Sequence, residues 1–405
     1  MRNWKVGTIT AGIILIAIGL LWFLQNFISI PYSKLLINAW PVACILLGIE
    51  ILLFNIVRKE DSLRFHGFSI FLLILMMGVS LLFSIGHLFI KEIGYTFKSR
   101  NIDINDSKTI TSSINEVIIK ANNSEISVNG TDSSEVNVNG NIRVPDRDKK
   151  DVSEKISDYY SVKTLGDKMI IEIRNDDNQI FHFDHDDRSQ LNIDLPKSIL
   201  TNINVKNGSV NLSNKDNKTV INSNDGQINI ENVTGNLVAK TRNGSISLSN
   251  AKLNRESEIA TNDGEINIKN ISGFLNSTTR DGSISIEQAN IDGTSEVTTY
   301  DGEINLSDYK GKINAKTKNG AINIEEALLN GNSKISSDDG EIQIDLLKDN
   351  NLTINAETND GSLSGNIGWK IKTNDENHTN KAMVGSGEHQ LNVKSRNGSI
   401  YVNKD

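Results

Sequence analysis

Residues 259–268 read Ile259-Ala-Thr-Asn-Asp-Gly-Glu-Ile-Asn-Ile268, and residues 297–306 read Val297-Thr-Thr-Tyr-Asp-Gly-Glu-Ile-Asn-Leu306. The pattern is an apolar residue, a hydroxyl residue two further on, Asn or Asp before glycine, and two apolar residues after it in alternation. With the leading residue usually apolar and the hydroxyl nearly always present, it recurs at Gly208, Gly226, Gly244, Gly264, Gly282, Gly302, Gly320, Gly340 and Gly361, with Gly398 as a late copy. Successive intervals are 18, 18, 20, 18, 20, 18, 20 and 21 residues, then 37. Self-similarity at such a period marks a repeat architecture. Asn-Gly and Asp-Gly dipeptides mark tight turns and predict positive φ at the glycine. Alternating β-branched residues on both sides predict a strand before and after each turn.

A unit of 18–20 residues with two short strands cannot bury its own apolar face. Stacked coils can, at ~4.8 Å per coil. No proline follows Pro196, as expected where every coil needs its ladder of backbone hydrogen bonds. These observations predict a parallel β-solenoid.

Basic residues stand two before glycine in one class of coil (Lys206, Arg242, Arg280, Lys318). Glutamates stand one after glycine in the other class (Glu265, Glu303, Glu341). Like charges one coil apart would repel, so the alternation is expected to set opposite charges on neighbouring coils. Working outward, residues 113–142 predict the first coils, 145–190 an irregular cap or loop, and 191–365 the regular coils. Residues 366–390 predict an insertion near the distal end, and 391–405 the last coil.

The first 98 residues differ in kind. Apolar runs at Val6–Leu24, Leu35–Val57 and Gly67–Ile90 each reach the ~20 residues needed to cross a hydrocarbon core. They predict three transmembrane helices, the first an uncleaved signal anchor because it is long and lacks a small-residue cleavage site. Trp4, Trp22, Tyr32 and Trp40 fall near run ends, where amphipathic rings suit the interface. Five basic residues (Arg2, Lys5, Arg58, Lys59, Arg64) fall on one side of these runs, against four (Lys34, Lys91, Lys98, Arg100) on the other. That balance places the N-terminus inside and the C-terminal domain, 99–405, outside the cytoplasm. Glu50, within the second run, is expected to face a neighbouring helix or reach toward Arg58 and Lys59. His87, in the third run, is less informative.

Net charge is −8 overall, split into +4 for residues 1–98 and −12 for 99–405. An acidic ectodomain excludes nucleic acid as the expected partner. The single cysteine, Cys44, excludes an intramolecular disulfide and a cysteine metal site. His182-Phe-Asp-His185-Asp-Asp187 has metal-ligand residue types, but Phe181 and Phe183 alternate with His182 and Asp184, as on a strand with one wet face. The expectation there is a solvated loop. The Asp-Gly row of Asp263, Asp281, Asp301, Asp339 and Asp360 could present carboxylates to Ca²⁺. Asp in a turn more often satisfies its own backbone, and Asn243 and Asn319 thin the charge. No nucleophile elbow, P-loop or zinc-enzyme spacing occurs. Aromatic residues for sugar stacking are few (Phe274, Tyr300, Tyr309, Trp369). No catalytic, cofactor-binding or metal residue is assigned, and an enzyme is not expected.

The N-terminal pieces Gly12…Gly19-Leu-Leu-Trp22 and Trp40-Pro41…Gly48 resemble the transmembrane region of Lia-type envelope-stress proteins of Gram-positive bacteria. The Ile126–Val128 coil, the Leu191-Asn-Ile-Asp-Leu-Pro196 lead-in and the Gly-Ser/Glu-x-Ile-x-Ile coils resemble the putative-adhesin domain of unknown function. That domain is a β-solenoid of bacterial envelope proteins. The resemblance implies a membrane-anchored cell-surface protein whose rigid acidic solenoid acts as an adhesin-like binding module. Its expected partners are the lipid bilayer and a cell-wall polymer or surface protein. Two alternatives stand beside it. One is an envelope-stress sensor acting through its helices on a membrane signalling protein. The other is a scaffold that self-assembles through unblocked sheet edges.

Overall fold

The computed structural model divides the chain into two compact units, Met1–Lys98 and Ser99–Asp405. It describes residues 99–145, 156–174, 188–372 and 378–405, and ten positions between Thr10 and Leu53. The three expected membrane helices lie mostly outside the described residues. Among those described, no helix is long and apolar enough to cross a membrane.

Among the described residues the second unit is all β apart from one turn of helix, Ile156–Tyr159, and its strands form one continuous hydrogen-bonded system. Ile228 pairs in parallel with Ile246, Ile246 with Ile266, Ile266 with Ile284 and Ile284 with Ile304. Ile304 then pairs with Ile322, and Ile322 with Ile342. The offsets alternate between 18 and 20, so the repeat in sequence is the coil in space. Each of these isoleucines is fully buried. Period-two alternation therefore works as predicted: one side of each strand faces the axis, and identical side chains stack into ladders. The buried apolar cluster runs from Ile104 to Val402. This unit thus carries its own core.

Three expectations are corrected. First, the turn glycines are not there for positive φ. Only Gly208 among them has φ in the left-handed region, at 138°. What excludes a side chain is the coil beneath: a Cβ on Gly244 would sit 2.1 Å from the Gly226 carbonyl oxygen, and one on Gly282 2.0 Å from that of Gly264. The hydroxyl three residues earlier exploits the same approach. Thr261 Oγ1 donates to the Gly244 carbonyl at 2.9 Å, Thr299 to Gly282 at 2.8 Å and Thr317 to Gly302 at 2.9 Å. These hydroxyls are buried, so each bond satisfies a donor that would otherwise cost free energy.

Second, 391–405 is not the last coil. His389–Ser395 pairs in parallel with Ser333–Ser337 on one side and Leu352–Thr358 on the other. Ile400–Lys404 likewise lies between Ile342–Leu346 and Leu363–Ser364. The chain lays down the Gly361 coil, leaves through residues 366–388, and returns to thread its final coil into a slot one layer back. Buried hydroxyls confirm the order: Ser395 donates to Gly340 at 3.0 Å, and Thr358 to Gly398 at 2.8 Å.

Third, the opposite end is built the same way. Glu116–Ala121 and Ser124–Thr131 form a single coil that lies second in the stack. It is held between Leu200–Asn207/Val210–Lys215 and an outermost coil of Lys168–Ile173 and Ser189–Pro196. Val136 and Val138 belong instead to Glu135–Pro145, an antiparallel cap on Ser189–Pro196 that is itself covered by Ser99–Thr109. The stretch 145–190, expected to be irregular, contributes the hairpin Tyr160–Leu165/Lys168–Ile173. At the far end His378–Val384 runs antiparallel to Leu352–Thr358, with Lys370–Lys372 beyond it. Antiparallel strands thus cover both strands of the end coil at one end and Leu352–Thr358 at the other, blunting those edges for a self-assembling scaffold.

Candidate functional site

Each coil of the regular stack has two edges, and the sequence describes only one of them well. At the Asn/Asp-Gly turn, the expected pairing of charges on neighbouring coils holds with a different acid. Arg280 reaches Asp263 at 2.9 Å and its own neighbour Asp281 at 2.8 Å, Arg242 reaches Asp225 at 3.6 Å, and Arg396 reaches Asp338 at 3.7 Å. Glu265, Glu303 and Glu341 join none of the ion pairs among the described residues. Between these cations, Asn243 donates to Asp225, Asn319 to Asp301 and Asn397 to Asp339. The hydrogen bond and charge of Asp281, with Asp263 beyond, hold the Arg280 guanidinium above its ordinary range. Much of the carboxylate row considered for Ca²⁺ is therefore engaged by protein donors. No cluster of three metal-ligating side chains occurs among the described residues. The 182–187 cluster, His87 and Cys44 lie outside them.

The second edge is a corner six residues after each glycine from Gly208 to Gly320. Asn214, Asn232, Asn250, Asn270, Gln288, Asp308 and Glu326 all adopt φ between 49° and 59°. Left-handed backbone at a non-glycine residue is uncommon, and Asn and Asp tolerate it best. Here it bends the post-turn strand outward and sends two consecutive side chains to solvent before alternation resumes. The amides stack along the axis: Asn232 Nδ2 donates to Asn214 at 3.2 Å and Asn270 Nδ2 to Asn250 at 2.7 Å. The bend leaves a shallow groove of about 660 Å³ across the Gly226 to Gly302 coils. Asn250, Asn270, Gln288 and Asp308 form one wall, and Thr234, Lys252, Ser272, Asn290 and Lys310 the other. Ala251, Ile271 and Ala289 lie between them. Sequence reasoning missed this corner. Its signal was the amide or acid recurring six positions after each glycine from Gly208 to Gly320.

The aromatic residues are engaged elsewhere. Tyr309 is buried, and its hydroxyl donates to the Lys312 carbonyl at 2.9 Å and bonds Ser295 at 3.0 Å; burial pushes its pKa up. Lys318 lies over the Tyr300 ring at 4.4 Å, and Arg255 over Phe274 at 5.0 Å. Trp369 packs on the core. A second hollow of about 510 Å³ near the other end gathers Lys120, Arg174 and Lys206, but Arg174 is paired with Glu172.

Lys215 sits at a core position, stacked on Val233, and is fully buried. Its ammonium donates to the carbonyls of Pro196 at 2.9 Å and Ile199 at 2.8 Å. Burial lowers its pKa to about 7, with Asp216 opposing the shift. Between pH 7 and the unfolded value of 10.5, the native state thus binds fewer protons than the unfolded state. Stability is expected to rise with pH through that window and to be flat below it as far as this group is concerned. In Lys215→Met the rise should vanish. Denaturant midpoints of both proteins at pH 6.5, 8.5 and 10 check this, and parallel profiles would refute it.

In the first unit, Glu50 does face a neighbouring helix. Its Oε2 accepts from the Thr10 backbone N at 3.0 Å and from Thr10 Oγ1 at 2.6 Å.

Among solved structures, the chain is similar to a "putative cell adhesion protein" from Clostridium sporogenes, at 10% identity over 75% of this chain and 100% of that one, TM-score 0.20. It is also similar to a "putative lipid binding protein" from Parabacteroides distasonis, at 15% identity over 76% of this chain and 96% of that one, TM-score 0.31. No curated protein matches it significantly. Residues 9–52, which include the Thr10–Glu50 contact, match the LiaI-LiaF-like transmembrane region. Together with the β domain that follows, this match fits a membrane-anchored protein. Residues 114–308 and 275–403 match the Toastrack DUF4097 profile; these spans take in the coil stack and well over half of the sequence, and the chain belongs to that family.

Proposed function

We propose that this is a bacterial cell-envelope protein whose β-solenoid stands outside the membrane as a non-catalytic, adhesin-like binding module, engaging its partner along the flank of the stack. The observation that carries the reading is the antiparallel cover on the end coils, complete at one end and over Leu352–Thr358 at the other. What remains for recognition is the long, rigid, periodic side, a surface suited to an extended partner. The membrane match at residues 9–52 supplies the anchor, and the acidic charge of 99–405 argues for a partner other than nucleic acid.

Protease treatment of intact, wall-stripped cells carrying a tag after Asp405 tests the placement. The tag should be lost without lysis; its protection until lysis would overturn the extracytoplasmic reading. The alternative of a stress regulator acting through its helices is favoured by one contact, Thr10 with Glu50, a polar pair joining two apolar runs. Deleting 99–405 separates the two: surface binding should be lost, whereas helix-borne signalling would survive.

A further inference from the structure

Four observations single out the corner groove. It spans the Gly226 to Gly302 coils, about 19 Å along the axis at ~4.8 Å per coil. Along its wall the Asn270 amide is fixed by Asn250, the amides keep spare hydrogen-bonding capacity, and Asp308 beside Lys310 ends the row with a carboxylate. At that corner even Gln288 is held in the left-handed region at φ 59°, a conformation that costs a residue of its type about 1 kcal/mol or more. Finally, its two bases, Lys252 and Lys310, join no ion pair among the described residues. Four other cations on these coils are paired, Arg242 with Asp225, Lys240 with Glu258, Lys269 with Glu287 and Arg280 with Asp263, while Arg255 lies over the Phe274 ring and the unpaired Lys312 and Lys316 lie outside the groove lining.

The same features define the occupant. Strands in mid-stack are paired on both sides, so no free edge offers β-augmentation to a peptide. Two of the three residues between the walls are alanine, which leaves no deep apolar pocket for a side-chain anchor or an acyl chain. No aromatic ring lines the groove. What it offers is a line of hydrogen-bonding groups repeating at about the length of one sugar in an extended chain, with two free cations three coils apart, about 14 Å. Lysine stems are long and flexible enough to meet anionic groups over a range of spacings.

We infer that the groove binds an acidic linear glycan lying along the solenoid axis, with hydroxyls on the amide wall and carboxylates or other anions at Lys252 and Lys310. The inference rests on the binding-module reading above and assigns its flank and its ligand class.

The test uses the full-length chain in nanodiscs with three probes of matched length: hyaluronan fragments (acidic and sugar), chito-oligosaccharide (neutral sugar) and inorganic polyphosphate (charge without sugar). Hyaluronan should bind at least tenfold more tightly than either control. The double variant Lys252→Ala/Lys310→Ala should raise its Kd by about tenfold, equivalent to one charge-assisted contact or more. Asn270→Gly keeps the left-handed corner while removing the amide. It should weaken binding severalfold, with the melting midpoint checked separately to show an intact stack. Absence of hyaluronan binding, equal binding of polyphosphate or chito-oligosaccharide, or unchanged affinity in both variants would each overturn the inference. Binding to isolated cell-envelope material distinguishes the two levels. If wild type and the double variant bind it equally, the module reading stands and the groove assignment falls. If neither binds, the module reading itself fails.

Discussion

Truncation after residue 388 is expected to unravel far more than the 17 residues it removes. Had 389–405 been a terminal coil, its loss would shorten a one-dimensional stack by one unit and leave the other coils standing. In the structure the segment is the layer between the Gly340 and Gly361 coils. Leu391, Val393, Ile400 and Val402 are all buried within it. At ~1.5–3 kcal/mol for each buried aliphatic side chain, the direct loss is of the same order as the whole stability of a typical domain. The Gly361 coil would also lose its only parallel neighbour, and with it the cap His378–Val384. Hydrogen exchange of the truncated protein should therefore show lost protection over residues 352–384, with the Gly226 to Gly320 coils retaining theirs. Protection surviving at 352–358 would contradict the interleaved order.

Gly302→Ala should be among the most damaging single-atom additions in the stack. The new Cβ would lie 1.9 Å from the Gly282 carbonyl oxygen, 2.5 Å from its carbon and 3.0 Å from the Ser283 nitrogen. All three are backbone atoms in a paired layer, so no flexible side chain can yield. The two coils must separate locally, straining the Thr299–Gly282 and Thr317–Gly302 hydroxyl bonds. A destabilisation of about 3 kcal/mol is expected, at the upper end for overpacking. Urea unfolding of the variant beside Ser283→Ala provides the comparison. The position after glycine carries Ser, Gln, Glu and Ala in different coils, and the control should lie within about 0.5 kcal/mol of wild type. Equal effects at the two positions would refute the close-approach explanation.

Much of the fold was legible because a solenoid is local. The apolar residues two and four places after nearly every glycine, the hydroxyl usually three before it and the absence of proline each follow from stacking one coil on the next. The glycine was recognised, but for the wrong reason: a dipeptide that signals positive φ in a hairpin here signals a neighbouring backbone. The corner at Asn250, Asn270 and Gln288 escaped because the alternation rule carries no sign of where a strand bends. Yet the interleaving did leave a trace in charge. Bases stand two before glycine at Lys206, Arg242, Arg280 and Lys318, skipping a coil each time, and the rhythm fails at Asn359 in chain order. In spatial order the next member is Arg396, which meets Asp338 as Arg280 meets Asp263.

The sequence by itself determined the coil: its length, its two strands, its turn and the residues that face the axis. Those depend on period, and period is written along the chain. Only the tertiary structure decided which coil lies on which, how the ends are closed, and that seven left-handed corners line up to leave a groove. A parallel ladder is read from the inward pattern alone, and that pattern does not tell the coil beginning at Leu352 from the one beginning at His389 as the neighbour of Ser333–Ser337. The choice between them rests on contacts between segments distant in sequence, which the local pattern does not encode.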